Sequence, residues 1–94
     1  MDILNSRIVE QFAEEHPDAK APLSAWLSKT RSATWTTPAD VVKTFNSADH
    51  LGGNKWIFNI GGNKFRMAAM VWIQNERVYV LKLMTHAEYD KEKF

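Results

Sequence analysis

The chain has 94 residues, of which 45% are hydrophobic and 24% are charged, and its 12 Lys and Arg nearly balance its 11 Asp and Glu. These proportions predict a single globular domain over residues 1–94 and exclude a disordered chain, a polybasic arm or an acidic tail. The absence of cysteine excludes disulfides, thiolate catalysis and cysteine-ligated zinc.

The first half of the chain predicts three helices. Asn5 or Ser6 can cap the first helix, which Pro17 ends, and a second helix follows Asp18. The apolar positions at helical spacing are Ile8, Val9, Phe12 and Ala13 in the first helix and Leu23, Trp26, Leu27 and Thr30 in the second.

The third helix has the clearest start signal. Thr37 is a cap residue, Pro38 occupies the first helical position and Asp40 adds an acid to the first turn. This helix should end near Asn46, and residues 47–54, which include paired glycines, predict a loop. Its predicted apolar stripe consists of Val41, Val42 and Phe45.

The second half predicts antiparallel strands. Residues 55–60 are rich in aromatic and β-branched side chains, and residues 61–63, Gly-Gly-Asn, predict a hairpin turn. Residues 64–73 alternate with period two, which places Lys64 and Arg66 together on the face opposite Phe65. The last long strand is expected to follow a further turn. It covers residues 78–84 and is apolar on both faces except for Lys82. The four tryptophans are predicted to lie in the core or at its rim, and the alternative is that they form base-stacking platforms.

Helices followed by strands predict an α+β fold, in which N-terminal helices pack on a small twisted antiparallel sheet and a short helical turn ends the chain. Residues 1–4 are too few to decide whether they add an edge strand. The sequence has neither a signal peptide pattern nor an apolar run long enough to span a membrane. We therefore expect a soluble, cytoplasmic protein without membrane association.

The charge is distributed unevenly along the chain. Residues 1–49 carry five basic and seven acidic side chains, a net charge of −2, whereas residues 50–94 carry seven basic and four acidic ones, a net charge of +3. An anion-binding site is therefore expected in the second half. The alternative is a random scatter of charges on a solvated surface.

The densest group of reactive side chains follows the last strand. Thr85 and Glu88 have the spacing of a capping box, so a helical turn should begin there and bring His86, Tyr89 and Asp90 to roughly the same side. Histidine, tyrosine and aspartate together can transfer protons. The alternative is that Thr85 and Glu88 only cap the turn, that Tyr89 packs and that His86 is solvated.

Two cations interrupt apolar strands. Arg66 offers the fixed donors of a guanidinium to a phosphate, and Lys82 lies near it if the strand register brings their faces together. A base for the 2′-hydroxyl, cations for the phosphate and a donor for the leaving oxygen are what RNA transesterification needs, without a metal or cofactor. The histidines are too scattered to predict a metal site.

Residues 56–66, 78–82 and 85–90 closely resemble the HigB family of bacterial toxins in the RelE-like superfamily, and residues 37–41 and 49–56 are also similar to it. The resemblance implies the RelE-like fold and an mRNA endoribonuclease that cuts translated mRNA on the ribosome. Arg66 would then stabilise the scissile phosphate, His86 and Tyr89 would be the acid and base candidates, and Asp90 would orient or assist. The implied RNA-backbone ligands are Lys55, Lys64 and Lys82.

The resemblance also implies a HigA-type antitoxin with a helix-turn-helix domain, through which alone the complex would contact operator DNA. A total charge of +1 is low for this superfamily, so non-specific attraction to RNA should be weak and the ribosome should present the substrate. The alternative function is a non-catalytic module that binds RNA or the ribosome and blocks translation without cleavage.

Overall fold

Five strands form one sheet in the order β1-β5-β4-β3-β2. The computed structural model describes residues 1–92. The four strands from β2 to β5 pair antiparallel with their neighbours, and β1 adds a parallel edge strand beside β5. The strands are β1 Asp2–Leu4, β2 Asp49–Gly52, β3 Lys55–Ile60, β4 Phe65–Trp72 and β5 Arg77–Thr85.

The predicted α+β architecture is confirmed. Three helices cover one face of the sheet and a fourth follows the last strand; within residues 1–92, no helix is long and apolar enough to cross a bilayer. The helices are α1 Arg7–Glu15, α2 Lys20–Ser32, α3 Pro38–Thr44 and α4 His86–Lys91, with a short 3₁₀ helix, Pro17–Ala19, between α1 and α2.

The predicted start signal of α3 is confirmed and takes the form of a capping box. The Asp40 Oδ2 accepts hydrogen bonds from the backbone N–H of Thr36 at 2.9 Å and of Thr37 at 3.1 Å. These bonds, with that of Thr36 first, hold the pKa of the Asp40 carboxyl below its usual value, because they stabilise its charged form. Local sequence signals therefore set where this helix begins.

The main core lies between α1–α3 and one face of the sheet. Alternate residues of β4 point into it, and the intervening ones point to the opposite face, called the open face below. The core-facing residues of β4 are Phe65, Met67, Ala69 and Val71; Arg66, Ala68, Met70 and Trp72 take the open face. Trp26, Trp35 and Trp56 are buried, and Trp72 is half-buried, as predicted for core and rim.

Two predictions in the middle of the chain are wrong. The expected loop at residues 47–54 contains β2, which pairs with β3 at the sheet edge. All four residues of β2 are exposed, so the strand shows no alternation of apolar and polar positions by which the sequence could have identified it. Val42 was assigned to the apolar stripe of α3 but is 40% exposed, because Val41 alone faces the core from that turn.

A β-bulge interrupts the pairing of β4 and β5. Val80 lies opposite Ala69, and Lys82 lies opposite Ala68, so Leu81 is an extra residue in β5. The extra residue reverses the alternation of the strand: Tyr79 faces the open side before the bulge, and Lys82 and Met84 face it afterwards. The bulge therefore brings Lys82 to the same face as Arg66.

The hydroxyl of Thr30 in α2 is fully buried and has no hydrogen-bond partner among residues 1–92. Since an unpaired buried hydroxyl costs about 1–3 kcal/mol, we expect Thr30→Val to raise the free energy of unfolding by about 1 kcal/mol in urea denaturation. Thr30→Ser, which keeps the hydroxyl and loses the methyl group, should lower it. A Thr30→Val variant less stable than the parent chain would contradict this assignment.

Candidate active site

Arg66 lies on the open face, near the start of the middle strand β4, and is only 8% exposed. Its Nη1 donates a hydrogen bond to the Phe65 carbonyl at 3.0 Å, and its guanidinium carbon lies 5.8 Å from the centre of the Tyr89 ring. Within residues 1–92, no carboxylate comes within 4 Å of this guanidinium. Among the described residues, the structure thus places a cation without a carboxylate partner in a largely dry position.

The guanidinium of Arg66 is nevertheless accessible to a ligand. In the described part of the chain, the fully buried side-chain nitrogens and oxygens without a partner are Trp26 Nε1 and Thr30 Oγ1. Arg66 does not belong to this set, and 8% of its surface remains exposed. A guanidinium at this position can donate hydrogen bonds to an anion that reaches the open face.

The start of α4 is fixed beside the strand that carries Arg66. The Thr85 N–H donates to Glu88 Oε1 at 2.9 Å, and the Glu88 N–H donates to Thr85 Oγ1 at 3.2 Å, which confirms the predicted capping box. The His86 N–H donates to the Lys64 carbonyl at 3.0 Å and ties the helix to the β3–β4 turn. These contacts set the position of His86 relative to Arg66.

The capping box also affects the ionisation of Glu88. The backbone N–H of Thr85, followed by its hydroxyl, lowers the pKa of the Glu88 carboxyl from its usual 4.5. A carboxyl whose pKa is lowered by folding stabilises the fold fully above its unfolded pKa, and this contribution is lost as the pH falls through its folded value. The attachment of α4 is thus strongest at neutral pH.

His86, Tyr89 and Asp90 divide between two sides of α4. The His86 Nδ1 lies 3.2 Å from Asp90 Oδ2, and both side chains are at least half exposed. Tyr89 points toward the sheet instead. Its ring packs over a small second apolar cluster that consists of Ile57, Ala68 and Met84. The helix therefore presents a histidine–aspartate pair to solvent and a tyrosine to Arg66.

The three lysines predicted to bind RNA differ in position. Lys82 and Lys55 lie on the open face by strand register, and Lys82 forms an ion pair with Glu92. Lys64 belongs to the turn before β4, where the alternation of the strand does not apply. Its Nζ lies 3.9 Å from Asp18 Oδ2, so its ammonium is directed to the helical layer, and the expectation that it shares a face with Arg66 is wrong.

One component of the open face could not be predicted from the sequence. Tyr79 lies there, 37% exposed, with its ring centre 6.5 Å from that of Trp72. The alternation of β4 had already placed Trp72 on this face, but the bulge in β5 concealed the direction of Tyr79. In the described residues, no three His, Asp or Glu side chains are grouped as a metal-ligand set.

The burial of Arg66 predicts that its charge is not needed for stability. Desolvation of an ion costs several kcal/mol, whereas one charged hydrogen bond and one cation–π contact together return about 2–4 kcal/mol. Arg66→Met, which keeps an unbranched apolar chain, should leave the free energy of unfolding within about 1 kcal/mol of the parent value or raise it. Urea denaturation measures this, with exposed Arg77→Met as the matched control. A loss of more than about 2 kcal/mol would assign Arg66 a structural role.

Several known proteins are similar in sequence to this chain. A family profile described as the HigB toxin, a RelE-like toxic component of a toxin–antitoxin system, matches residues 19–92. The mRNA interferase toxin HigB of Escherichia coli K12 is 29% identical over 92 residues, which are 96% of this chain and 88% of that protein. The mRNA interferase HigB of Escherichia coli O6:H1 is 29% identical over 93 residues, which are 97% of this chain and 90% of that protein.

Proposed function

The chain belongs to the HigB family of RelE-like toxic components of toxin–antitoxin systems, and on that basis we propose that it is an endoribonuclease that cleaves mRNA. Its relatives carry the name mRNA interferase. The observation that carries the proposal is Arg66, a guanidinium on the open face that is only 8% exposed and has no carboxylate partner within residues 1–92. Such a cation is suited to a phosphate.

In the proposed reaction, the 2′-hydroxyl oxygen attacks the adjacent phosphorus. The new bond joins phosphorus to O2′ while the bond to the 5′ oxygen breaks, so the products are a 2′,3′-cyclic phosphate and a 5′-hydroxyl end. Negative charge accumulates on the phosphoryl oxygens in the transition state, and Arg66 is there to stabilise it. Its low exposure strengthens this effect, because a charge interaction is screened less away from water.

Two proton transfers complete the reaction. A base removes the proton of the 2′-hydroxyl, and an acid gives a proton to the departing 5′ oxygen. We assign these roles to His86 and Tyr89 without choosing between the two orders. Asp90 supports the assignment of His86, because a carboxylate 3.2 Å from Nδ1 can hold the ring and leave Nε2 for proton exchange.

The lysines of the site would hold the RNA backbone on either side of Arg66. Lys55 and Lys82 share its face, and Lys64 lies at the turn beyond the strand end. Binding to Lys82 would displace Glu92, and binding to Lys64 would displace Asp18, so each phosphate contact competes with a carboxylate. Weak net attraction of this kind supports cleavage of mRNA that the ribosome presents.

The proposed partner is a HigA-type antitoxin with a helix-turn-helix domain, and the proposed site of action is the cytoplasm, where mRNA is translated. Operator DNA would be contacted through the antitoxin. If so, the product of an adjacent helix-turn-helix gene should co-purify with the chain and restore growth when the two are co-expressed. If the two proteins are expressed at equal levels and do not co-purify, that protein is excluded as the antitoxin.

Induction of the chain without an antitoxin should arrest bacterial growth and cut a translated reporter mRNA. Arg66→Met should reduce the cleavage rate by about 100-fold or more, as expected when a transition-state donor is removed. His86→Ala should reduce it by a factor of about 100, as expected for a lost acid or base. Arg7→Ala, an exposed arginine of α1, is the matched control and should cut normally.

The ends of the cleaved reporter identify the chemistry. Products with 5′-hydroxyl and cyclic phosphate ends support transesterification, and equal cleavage by the folded Arg66 and His86 variants would contradict the assigned site. Growth arrest with ribosome binding but no cut reporter would instead favour the non-catalytic module.

A further inference from the structure

The end of the open face remote from Arg66 carries an exposed aromatic pair, Trp72 of β4 and Tyr79 of β5. Their ring centres are 6.5 Å apart and their planes are inclined by 59°. Tyr79 is 37% exposed and Trp72 is half-buried, and Met70 lies opposite Tyr79 between the two rings and β3. Aromatic surface that is left uncovered on a sheet is a common site of binding.

Cations flank this aromatic pair. By strand register, Lys55 lies opposite Met70 on β3, and Arg77 lies opposite Trp72 on β5. An acid, Asp2, stands opposite Arg77 on the edge strand β1. The aromatic pair is therefore flanked by cations on β3 and β5. The acidic side chain on β1 marks the outer limit of this basic surface.

The aromatic pair and Arg66 belong to one continuous surface. Trp72 lies six positions after Arg66 along β4, which corresponds to about 20 Å, and Lys82 lies between them on the same face. A nucleic-acid strand whose scissile phosphate is held by Arg66 would therefore extend over the rings after a few nucleotides.

We propose that Trp72 and Tyr79 form a base-stacking site for single-stranded RNA that flanks the scissile phosphate. Flat apolar rings with cations at their edges match bases attached to a phosphate backbone, and every base has a face that can stack on a ring. Such a site binds without adding net positive charge, in agreement with the total charge of +1. This inference rests on the proposed function, since it gives the same substrate a second contact.

Binding of RNA that cannot be cleaved tests the inference separately from catalysis. The probes are a fluorescently labelled 2′-O-methyl oligonucleotide of mixed sequence and the same oligonucleotide with abasic positions, both at low salt and measured by anisotropy. The full chain should bind the intact probe about tenfold more tightly than the abasic one, because only the intact probe can stack.

The variants separate stacking from charge. Tyr79→Ala and Trp72→Ala should each weaken binding of the intact probe about tenfold and leave binding of the abasic probe unchanged. Tyr79→Phe, which keeps the ring, should bind as the parent chain does. Val42→Ala is the matched control, because Val42 is exposed to a similar extent, 40%, but lies on α3 in the helical layer. Circular dichroism confirms that each variant is folded.

Three results would overturn the inference: equal affinity of the parent chain for both probes, no binding of either probe, or unchanged binding by the two alanine variants. Alanine variants that bind RNA normally but no longer bind the antitoxin would make the aromatic pair a protein interface instead. Reporter cleavage by the parent chain is scored independently, so a chain that cuts without stacking refutes only the inference, and one that stacks without cutting refutes only the endoribonuclease.

Discussion

The extra residue at Leu81 determines which side chains of β5 face Arg66. With an uninterrupted register, the alternation that begins at Tyr79 would turn Leu83 out of the core and Lys82 into it. The bulge reverses the alternation, so that Leu83 is buried and Lys82 lies on the open face. There it neighbours Arg66 of β4 and Met84 of β5, which lie opposite each other in the sheet. The same register pairs Phe65 with Thr85 and thereby sets where α4 leaves the sheet.

The position of Arg66 illustrates a conflict between stability and function. The sheet could have been completed on its open side by an apolar residue, since Ile57, Ala68 and Met84 already form a small cluster there under Tyr89. A guanidinium in that position must lose most of its hydration. Within residues 1–92, it makes one hydrogen bond to a carbonyl and one contact with a ring face to offset that loss. A residue that is expected to stabilise the fold so little agrees with the proposed role of Arg66 in binding a phosphate.

Features of the fold that depend on residues close together in the sequence could be predicted, whereas features that depend on distant residues could not. Both capping boxes depend on residues three positions apart, and the faces of β4 depend on simple alternation, so the sequence contained all of this information. Pairing across the sheet is non-local. The exposed edge strand β2 has no pattern to detect, and the bulge in β5 leaves no mark in a strand that is apolar on both faces. For the same reason, the contact of Tyr89 with Arg66 and the direction of Tyr79 could not be predicted.

The distribution of charge shows how a nearly neutral protein could carry the proposed site for a polyanion. Two of the lysines assigned to the backbone, Lys64 and Lys82, already have carboxylate partners, so their gain from phosphate is offset by the ion pairs that they lose. Arg66 has no such competitor within residues 1–92, and its attraction acts at one point only. Under the proposed function, affinity from stacked bases would add to that point contact without attracting nucleic acid from a distance. Such a surface would bind free RNA weakly and would favour a strand that is already held in place, as mRNA is on a ribosome.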